Sequence, residues 1–481
     1  VALPSVPAAE PDAGTDATSA RRAGSLRDRA IAGVARLLSA LFFRSVETVG
    51  TVPPSGPVIL AASHLNGFVD PVLMVADLRA LPRFLAKATL WDTVPARPLL
   101  RFARLIPVHR REDAAGAGEV DNRGTFEDAV RALDRGQLLA VFPEGTTHDD
   151  PSIRPLRTGV ARIALAALEA GLDHVDIVPV GVSYQDKVAL RDRAVLAYGD
   201  PIRVVAADRP AGEDDQRRAV RALTARLDEG LRRVTPDFAS LTDAVALGAA
   251  AHIVESVDAA PRRPSQAREL ARAQRLAGRD RATIDRVVGT VARYHLLLGS
   301  IRVGDHDIAA GTGLRSVTRH ALGLAVLLVV LAPFAAAGLV ANALPALVVI
   351  VAGLVPRAPV SKGTVRVLVA VVVFPLTWLA IATWDVGEGP AADLARAATV
   401  PIDPVIDLAF NTRGGFWPGL VAFLLLPVLG AAALVLVERS GAFVRDLFVW
   451  RTLVDRRGQL DAVRAARAEV VEVTRAASEP S

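Results

Sequence analysis

Apolar residues recur at Ala30, Ile31, Val34, Leu37, Leu38, Leu41 and Phe42 between Leu26 and Phe43, with Arg27, Arg29 and Arg36 among them and Arg44 just beyond. That 3.6-residue spacing predicts an amphipathic helix over residues 21–44. Two readings stay open for it: a helix lying in a membrane interface with its arginines toward headgroups, or one packed on its own domain. From 45 to 210 the period changes. Short β-rich runs at Pro57–Ser63, Leu138–Phe142, Val175–Tyr184 and Ala194–Gly199 alternate with helical stretches at Thr125–Arg135 and Gly159–Ala170, each closed by a glycine. This alternation predicts an α/β domain with a largely buried sheet flanked by helices. Residues 211–320 read as a charged helical region, more apolar over 237–257 and broken at Pro261–Pro264.

The pattern turns continuously apolar after residue 321, and no charge occurs through Pro356. At about 1.5 Å per residue that stretch is too long for one crossing of a bilayer. It predicts a tilted helical hairpin turning near Pro333, Gly338, Asn342 or Pro345. Val367–Trp384 and Phe416–Val437 are each long enough to cross alone. Basic flanks at Arg315, Arg319, Arg357, Lys362, Arg366, Arg439, Arg445 and Arg451 contrast with the acidic loop Asp385–Arg413. The positive-inside rule then favours four crossings within a multi-span α-helical membrane region at 321–438. It also puts the α/β domain and a helical tail at 439–481 on the cytoplasmic side of the plasma (inner) membrane. Residues 1–20, rich in Ala, Pro, Asp and Ser, read as a disordered tail without a signal peptide.

Composition sharpens this division. The 481 residues are 51% hydrophobic yet 22% charged, which fits water-facing domains joined to intramembrane segments. The chain has no cysteine, which removes disulfides, thiolate metal sites and an acyl-cysteine intermediate. The net charge of +5 rests on arginine, since lysine occurs only at Lys87, Lys187 and Lys362. Guanidinium groups favour phosphate and anionic headgroups. Zinc spacing, a basic zipper and an aromatic RNA-binding run are all missing, so nucleic acid is not an expected partner.

The most informative stretch is Ser63-His64-Leu65-Asn66-Gly67-Phe68-Val69-Asp70-Pro71. An imidazole at a strand end suits the removal of a hydroxyl proton at neutral pH, and a carboxylate on its far nitrogen would fix the tautomer. The plain alternative makes Asp70 a helix N-cap ahead of Pro71 and His64 a loop histidine. A second stretch, Phe142-Pro143-Glu144-Gly145-Thr146-Thr147-His148, follows an apolar strand. Glu144 would there accept hydrogen bonds from a ligand's hydroxyls, or serve as a helix-start carboxylate, and Gly145 would let a ligand approach the backbone. The adjacent His148, Asp149 and Asp150 are too close in sequence to chelate together, and no metal is expected. Ile106-Pro107-Val108-His109-Arg110-Arg111 ends a short strand in paired arginines, a phosphate clamp or a solvated surface pair. Arg157, ahead of a helix, is a second candidate phosphate ligand.

Taken in chain order, these stretches and the apolar strand Ile177-Val178-Pro179-Val180 resemble the glycerolipid acyltransferase family, which acylates glycerol-3-phosphate, dihydroxyacetone phosphate and lysophosphatidate. The family's His-x4-Asp block is matched by His64 and Asp70, its phosphate-binding arginine by Arg110, its Phe-Pro-Glu-Gly block by Phe142–Gly145, and its proline-containing strand by Pro179. The likeness covers about residues 45–205. It implies an α/β acyltransferase domain with a mixed sheet, followed by the helical and membrane regions. It also implies His64 as base, Asp70 as its orienter and Arg110 as phosphate ligand, with Glu144 and Gly145 helping to hold the acceptor; Asn66, Thr146, Arg157 and Pro179 are further expected substrate-binding positions. The donor would be acyl-CoA or acyl carrier protein (acyl-ACP), with a lipid bilayer as setting and no cofactor. Two departures stand out. Five residues separate His64 from Asp70, a variant similar to fungal-type glycerol-3-phosphate acyltransferases, and Arg104 stands where the family often has glycine. Three functions follow: sn-1 acylation of glycerol-3-phosphate, sn-2 acylation of lysophosphatidate, or a non-catalytic membrane transporter or scaffold with a degenerate domain.

Overall fold

The run Val58–Ala62 is buried at every position, as a strand must be when helices cover both faces of its sheet. The computed structural model describes residues 26–53, 55–78, 80–92, 97–109, 122–185, 191–210, 212–259, 264–309, 314–355, 359–383 and 416–479. The expected tail 1–20 and the acidic loop 385–413 lie outside the described residues. The chain divides into two units, the first reaching Ala251 and including Pro264–Arg279, the second holding residues 252–263 and everything from Asp280 onward.

In the first unit the elements are α1 (Leu26–Phe42), β1 (Phe43–Val49), β2 (Val58–Ala62), α2 (Val69–Leu78), β3 (Arg83–Lys87), α3 (Arg97–Phe102) and β4 (Ile106–Val108). They continue with α4 (Arg123–Asp134), β5 (Leu138–Val141), α5 (Gly159–Glu169), β6 (His174–Tyr184), β7 (Asp192–Tyr198) and β8 (Ile202–Val205). Next come α6 (Glu213–Val234) and α7 (Leu241–Asp258), which runs past Ala251, and α8 (Gln266–Ala277). The sheet order is β1-β7-β6-β2-β5-β3-β4, with β8 also on β6. β6 runs antiparallel to β7 and β8, and the other pairs are parallel. The expected mixed sheet flanked by helices is what forms.

Period-2 alternation sorts the strand side chains. Ile59, Ala61, Leu139, Val141, Val175 and Ile177 join one core with residues of α4, α5 and α6. On the other face, α2 is tied down by Asp77, which accepts from Thr48 and from Tyr198. Pro179 sits mid-strand without breaking the ladder. Val180 turns its carbonyl to the β2 side, so Pro179 faces the other edge, between the stretches paired to β8 and β7. Only its carbonyl is needed there, and Gly199 donates to it.

The boundary expected at residue 210 cuts through this core. In α6, Val220, Leu223, Leu227 and Leu231 recur at helical spacing and are buried in the sheet's own cluster. The helix packs so closely that a Cβ on Gly181 of β6 would lie 1.9 Å from the Val234 carbonyl oxygen. Helix α8 is held by a residue far away in sequence. Glu47 of β1 accepts from the backbone of Gln266 (3.1 Å) and Ala267 (3.0 Å) and from the Ser265 hydroxyl (2.9 Å), capping the helix N-terminus.

The second unit holds α9 (Arg281–Ile301), α10 (Asp305–Ala309), α11 (Leu314–Ala352), α12 (Pro359–Thr383), α13 (Phe416–Asp455) and α14 (Arg457–Ser478). Arg467 of α14 joins Asp305 (2.8 Å) and Ser256 (2.7 Å), and Tyr294 of α9 also donates to Asp305 (2.7 Å). The hairpin expected at 321–356 is instead one helix that includes Pro333 and Pro345. A turn there would leave several backbone groups unpaired among apolar side chains, whereas each proline removes a single helical hydrogen bond. The four-crossing count therefore loses its hairpin. Among the described residues, Val317–Ala352 and Phe423–Asp455 are long and apolar enough to cross a membrane, and α12 has a shorter apolar stretch at Leu368–Ile381. Buried Asn342 links the three helices, donating to the Gly338 carbonyl (2.9 Å) and the Leu426 carbonyl (3.4 Å) and accepting from Trp378 (2.8 Å).

Burial by itself would raise the Glu47 pKa, but the amides of Ala267 and Gln266, the Ser265 hydroxyl and Arg193 outweigh it and hold the group below its ordinary value. A depressed folded pKa stabilises the fold above the ordinary carboxylate pKa, and that stability is lost as pH falls through the depressed value. Glu47→Gln should therefore lower the thermal midpoint of the detergent-solubilised protein at pH 7. Its deficit should shrink as the pH is lowered below about 4. A deficit independent of pH would contradict the ionised cap.

Candidate active site

The site forms where β2 and β5 end on the same edge of the sheet. Ser63 prolongs the pairing with β6 by one step, its amide donating to the Val180 carbonyl and its hydroxyl accepting from the Val182 amide. His64 follows at once. The chain then turns through Leu65–Phe68 and enters α2, with the Asp70 amide bonded to the Asn66 carbonyl. That turn aims the Asp70 carboxylate back at the strand end.

The Asp70 carboxylate is fully buried, and three groups meet it. Its Oδ2 lies 2.9 Å from His64 Nδ1 and accepts from the Asn66 amide at 2.8 Å. Its Oδ1 accepts from the Tyr184 hydroxyl. Asp70 is thus no N-cap; it stands inside the first helical turn and faces the imidazole. Five intervening residues are enough to close this geometry. A carboxylate on Nδ1 makes that nitrogen the proton carrier, which leaves Nε2 as a lone-pair base. Among the described residues Nε2 has no bonded partner, and the ring is 14% exposed. Burial and the neighbouring Asp70 charge push the Tyr184 phenol well above its ordinary pKa, so it stays a donor.

Two residues of the Phe142–Gly145 block hold His64 from different sides. Phe142 stacks on the imidazole face with centroids 3.9 Å apart, and Phe84 backs Phe142 at 6.2 Å. Glu144 Oε1 accepts from the His64 backbone amide at 3.0 Å. Its Oε2 accepts from the Arg154 amide at 3.0 Å and from His148 Nε2. The Asp150 amide donates to His148 Nδ1, which assigns the His148 proton to Nε2. The Glu144 side chain is 1% exposed, so it is turned into the protein and not toward a ligand, contrary to expectation.

The other expected residues divide. Gly145 has φ +74°, and a Cβ there would sit 2.3 Å from Arg157 Nε; its missing side chain makes room for that guanidinium beside the Glu144 turn. Asn66 is buried and serves Asp70 through its backbone. The Thr146 hydroxyl turns to the Thr147 carbonyl, at 3.4 Å, and not to the dyad. Pro179 is a buried strand residue whose ring packs toward Gly230 of α6, so it belongs to the sheet and not to a substrate surface. Arg110 lies outside the described residues. The end of β4 just before it is braced, since the Asn122 side chain bonds both the amide (2.9 Å) and the carbonyl (2.8 Å) of His109. Arg104 has φ +54°, a left-handed conformation that glycine adopts freely.

Tyr184 was not among the expected site residues, and Phe142 and His148, though within the Phe142–His148 stretch, had no expected role beside His64 and Glu144. Strand parity offered one signal: Val178, Val180, Val182 and Tyr184 share the face opposite Ile177 and Pro179, and Tyr184 ends the strand next to His64's own.

Known proteins match the same region. Residues 44–183 match the family model described as Acyltransferase. Glycerol-3-phosphate O-acyltransferase 2 of Saccharomyces cerevisiae is 36% identical over 129 residues, which is 26% of this chain and 17% of the yeast protein. Lyso-ornithine lipid O-acyltransferase of Pseudomonas aeruginosa is 34% identical over 153 residues, covering 32% of this chain and 52% of that protein. A crystal structure of a 1-acyl-sn-glycerophosphate acyltransferase from Thermotoga maritima aligns over 42% of this chain and 79% of its own, with 21% identity and a TM-score of 0.30. The matched stretches span about half the length of these curated relatives or less.

Glu144→Ala should remove an anchor of the His64 backbone and leave buried donors unpaired, at a cost of about 1–3 kcal/mol. Thr146→Ala should be close to neutral. Thermal unfolding of both variants separates the roles, and a Glu144→Ala midpoint equal to that of the parent protein would restore Glu144 as a ligand group.

Proposed function

With residues 44–183 forming an acyltransferase domain, we propose that the protein transfers a fatty acyl group from a thioester to the sn-1 hydroxyl of glycerol-3-phosphate. The observation that carries this reading is the His64–Asp70 pair, 2.9 Å apart, with Nε2 left unbonded among the described residues. The acceptor hydroxyl gives its proton to Nε2 as its oxygen attacks the thioester carbonyl. The new C–O bond forms, the C–S bond breaks, and the imidazolium returns the proton to the leaving thiolate. Asp70 stabilises the imidazolium in between, and no protein nucleophile is required. Acyl-CoA or acyl-ACP serves as donor. Arg110 binds the acceptor phosphate, a reading supported by the family resemblance, and Arg157 assists, supported by its position against Gly145.

The setting is the cytoplasmic face of the plasma (inner) membrane. The two long apolar helices and a stripe on α1, where Leu26, Val34, Leu37 and Leu41 all stand exposed, support association with a membrane. These four fall on one side of the helix, with Arg29 and Arg36 beside them, the arrangement of a helix that rests in an interface.

Detergent-solubilised protein should transfer labelled acyl groups from acyl-CoA to glycerol-3-phosphate. His64→Ala should cut the rate by about 10²–10⁴-fold with the fold intact. Transfer to lysophosphatidate alone would reassign the step to sn-2, and transfer to no glycerol phosphate would favour a non-catalytic scaffold. Arg110→Ala should raise the KM for the acceptor far more than it changes kcat; an unaltered KM would remove Arg110 from the phosphate site.

A further inference from the structure

Each oxygen of Asp70 has its own task. Oδ2 serves His64 and Asn66. Oδ1 is met by the hydroxyl of Tyr184, 114 residues away at the end of β6. The phenol is locked from behind, since its ring stacks on Phe43 at 5.8 Å between centroids. Phe43 begins β1 directly after α1, and Arg191 bonds the Ala40 carbonyl (2.6 Å) and donates its amide to the Phe42 carbonyl (2.8 Å). The tyrosine therefore has a fixed ring and a single direction in which to donate.

We propose that Tyr184 is a positioning residue for the transfer reaction, which keeps Asp70 ionised and turned toward His64. This role rests on the acyltransferase reading above. A fully buried carboxylate oxygen without a donor favours protonation or rotation of the group. Either change frees His64 to adopt the wrong tautomer. The phenol matters most while His64 is neutral, because the Asp70 charge is then uncompensated. Once the imidazole is protonated, the ion pair offsets part of that need. Loss of the phenol thus destabilises the reactive form of the dyad more than its protonated form. The pH at which the dyad takes up a proton must rise.

Tyr184→Phe keeps the ring on Phe43 and removes only the hydroxyl. Steady-state kinetics should show kcat lowered about ten- to a hundredfold with acceptor KM little changed. The acid limb of kcat/KM should move to higher pH. NMR titration of the His64 imidazole, assigned by its loss in His64→Ala, should show the same upward move without relying on turnover. An unmoved titration with parental kcat would overturn the role of Tyr184. Absence of acyl transfer by the parent protein, with the titration shift present, would overturn the acyltransferase reading and leave the Tyr184–Asp70–His64 linkage standing.

Discussion

The Asp70 carboxylate is removed from solvent altogether, and an ionised carboxylate persists in such a place only when its oxygens have donors. His64, Asn66 and Tyr184 supply them. They come from a strand end, a turn and a second strand, so the dyad exists only when β2, β6 and α2 are all in place. The same requirement fixes the imidazole tautomer. With Nδ1 committed to the carboxylate, the imidazole presents Nε2 as a base.

The sheet brings this about through its parallel core. β2 and β5 are neighbours and run the same way, so His64 and the Phe142–Gly145 turn emerge side by side. Phe142 then covers one face of the imidazole, and Glu144 grips its backbone. The two blocks are thus one mechanical unit, in which the second holds the first. Gly145 completes the arrangement by leaving room for the Arg157 guanidinium.

Much of this was legible from residue types and spacing. The four β-runs and the helices at 123–134 and 159–169 were readable within a few residues, because apolar runs bounded by glycine leave little choice. The His64–Asp70 pairing was readable too, despite its unusual spacing. What could not be read depended on contacts between distant residues. Glu144 beside a glycine looks like a ligand group until its burial and its bond to the His64 amide, 80 residues away, are seen. Tyr184 and the cap that Glu47 places on α8 are distant pairings of the same kind, and neither leaves a local pattern. The extension of the core into α6 escaped because charged positions dominate that helix and mask its four buried aliphatics. The helix over Leu314–Ala352 escaped for another reason: prolines signal turns in water, but among apolar side chains an unpaired backbone is the greater cost.

The coupling between Asp70 and His64 is measured most directly by a double-mutant cycle on kcat, with Asp70→Asn, His64→Ala and the two combined. If the carboxylate acts only through the imidazole, Asp70→Asn slows the reaction by about a hundredfold or more. The combined variant is then no slower than His64→Ala alone. Losses that multiply in the double variant would mean that the two side chains act independently, and a base steered by its carboxylate would be the wrong mechanism for this protein.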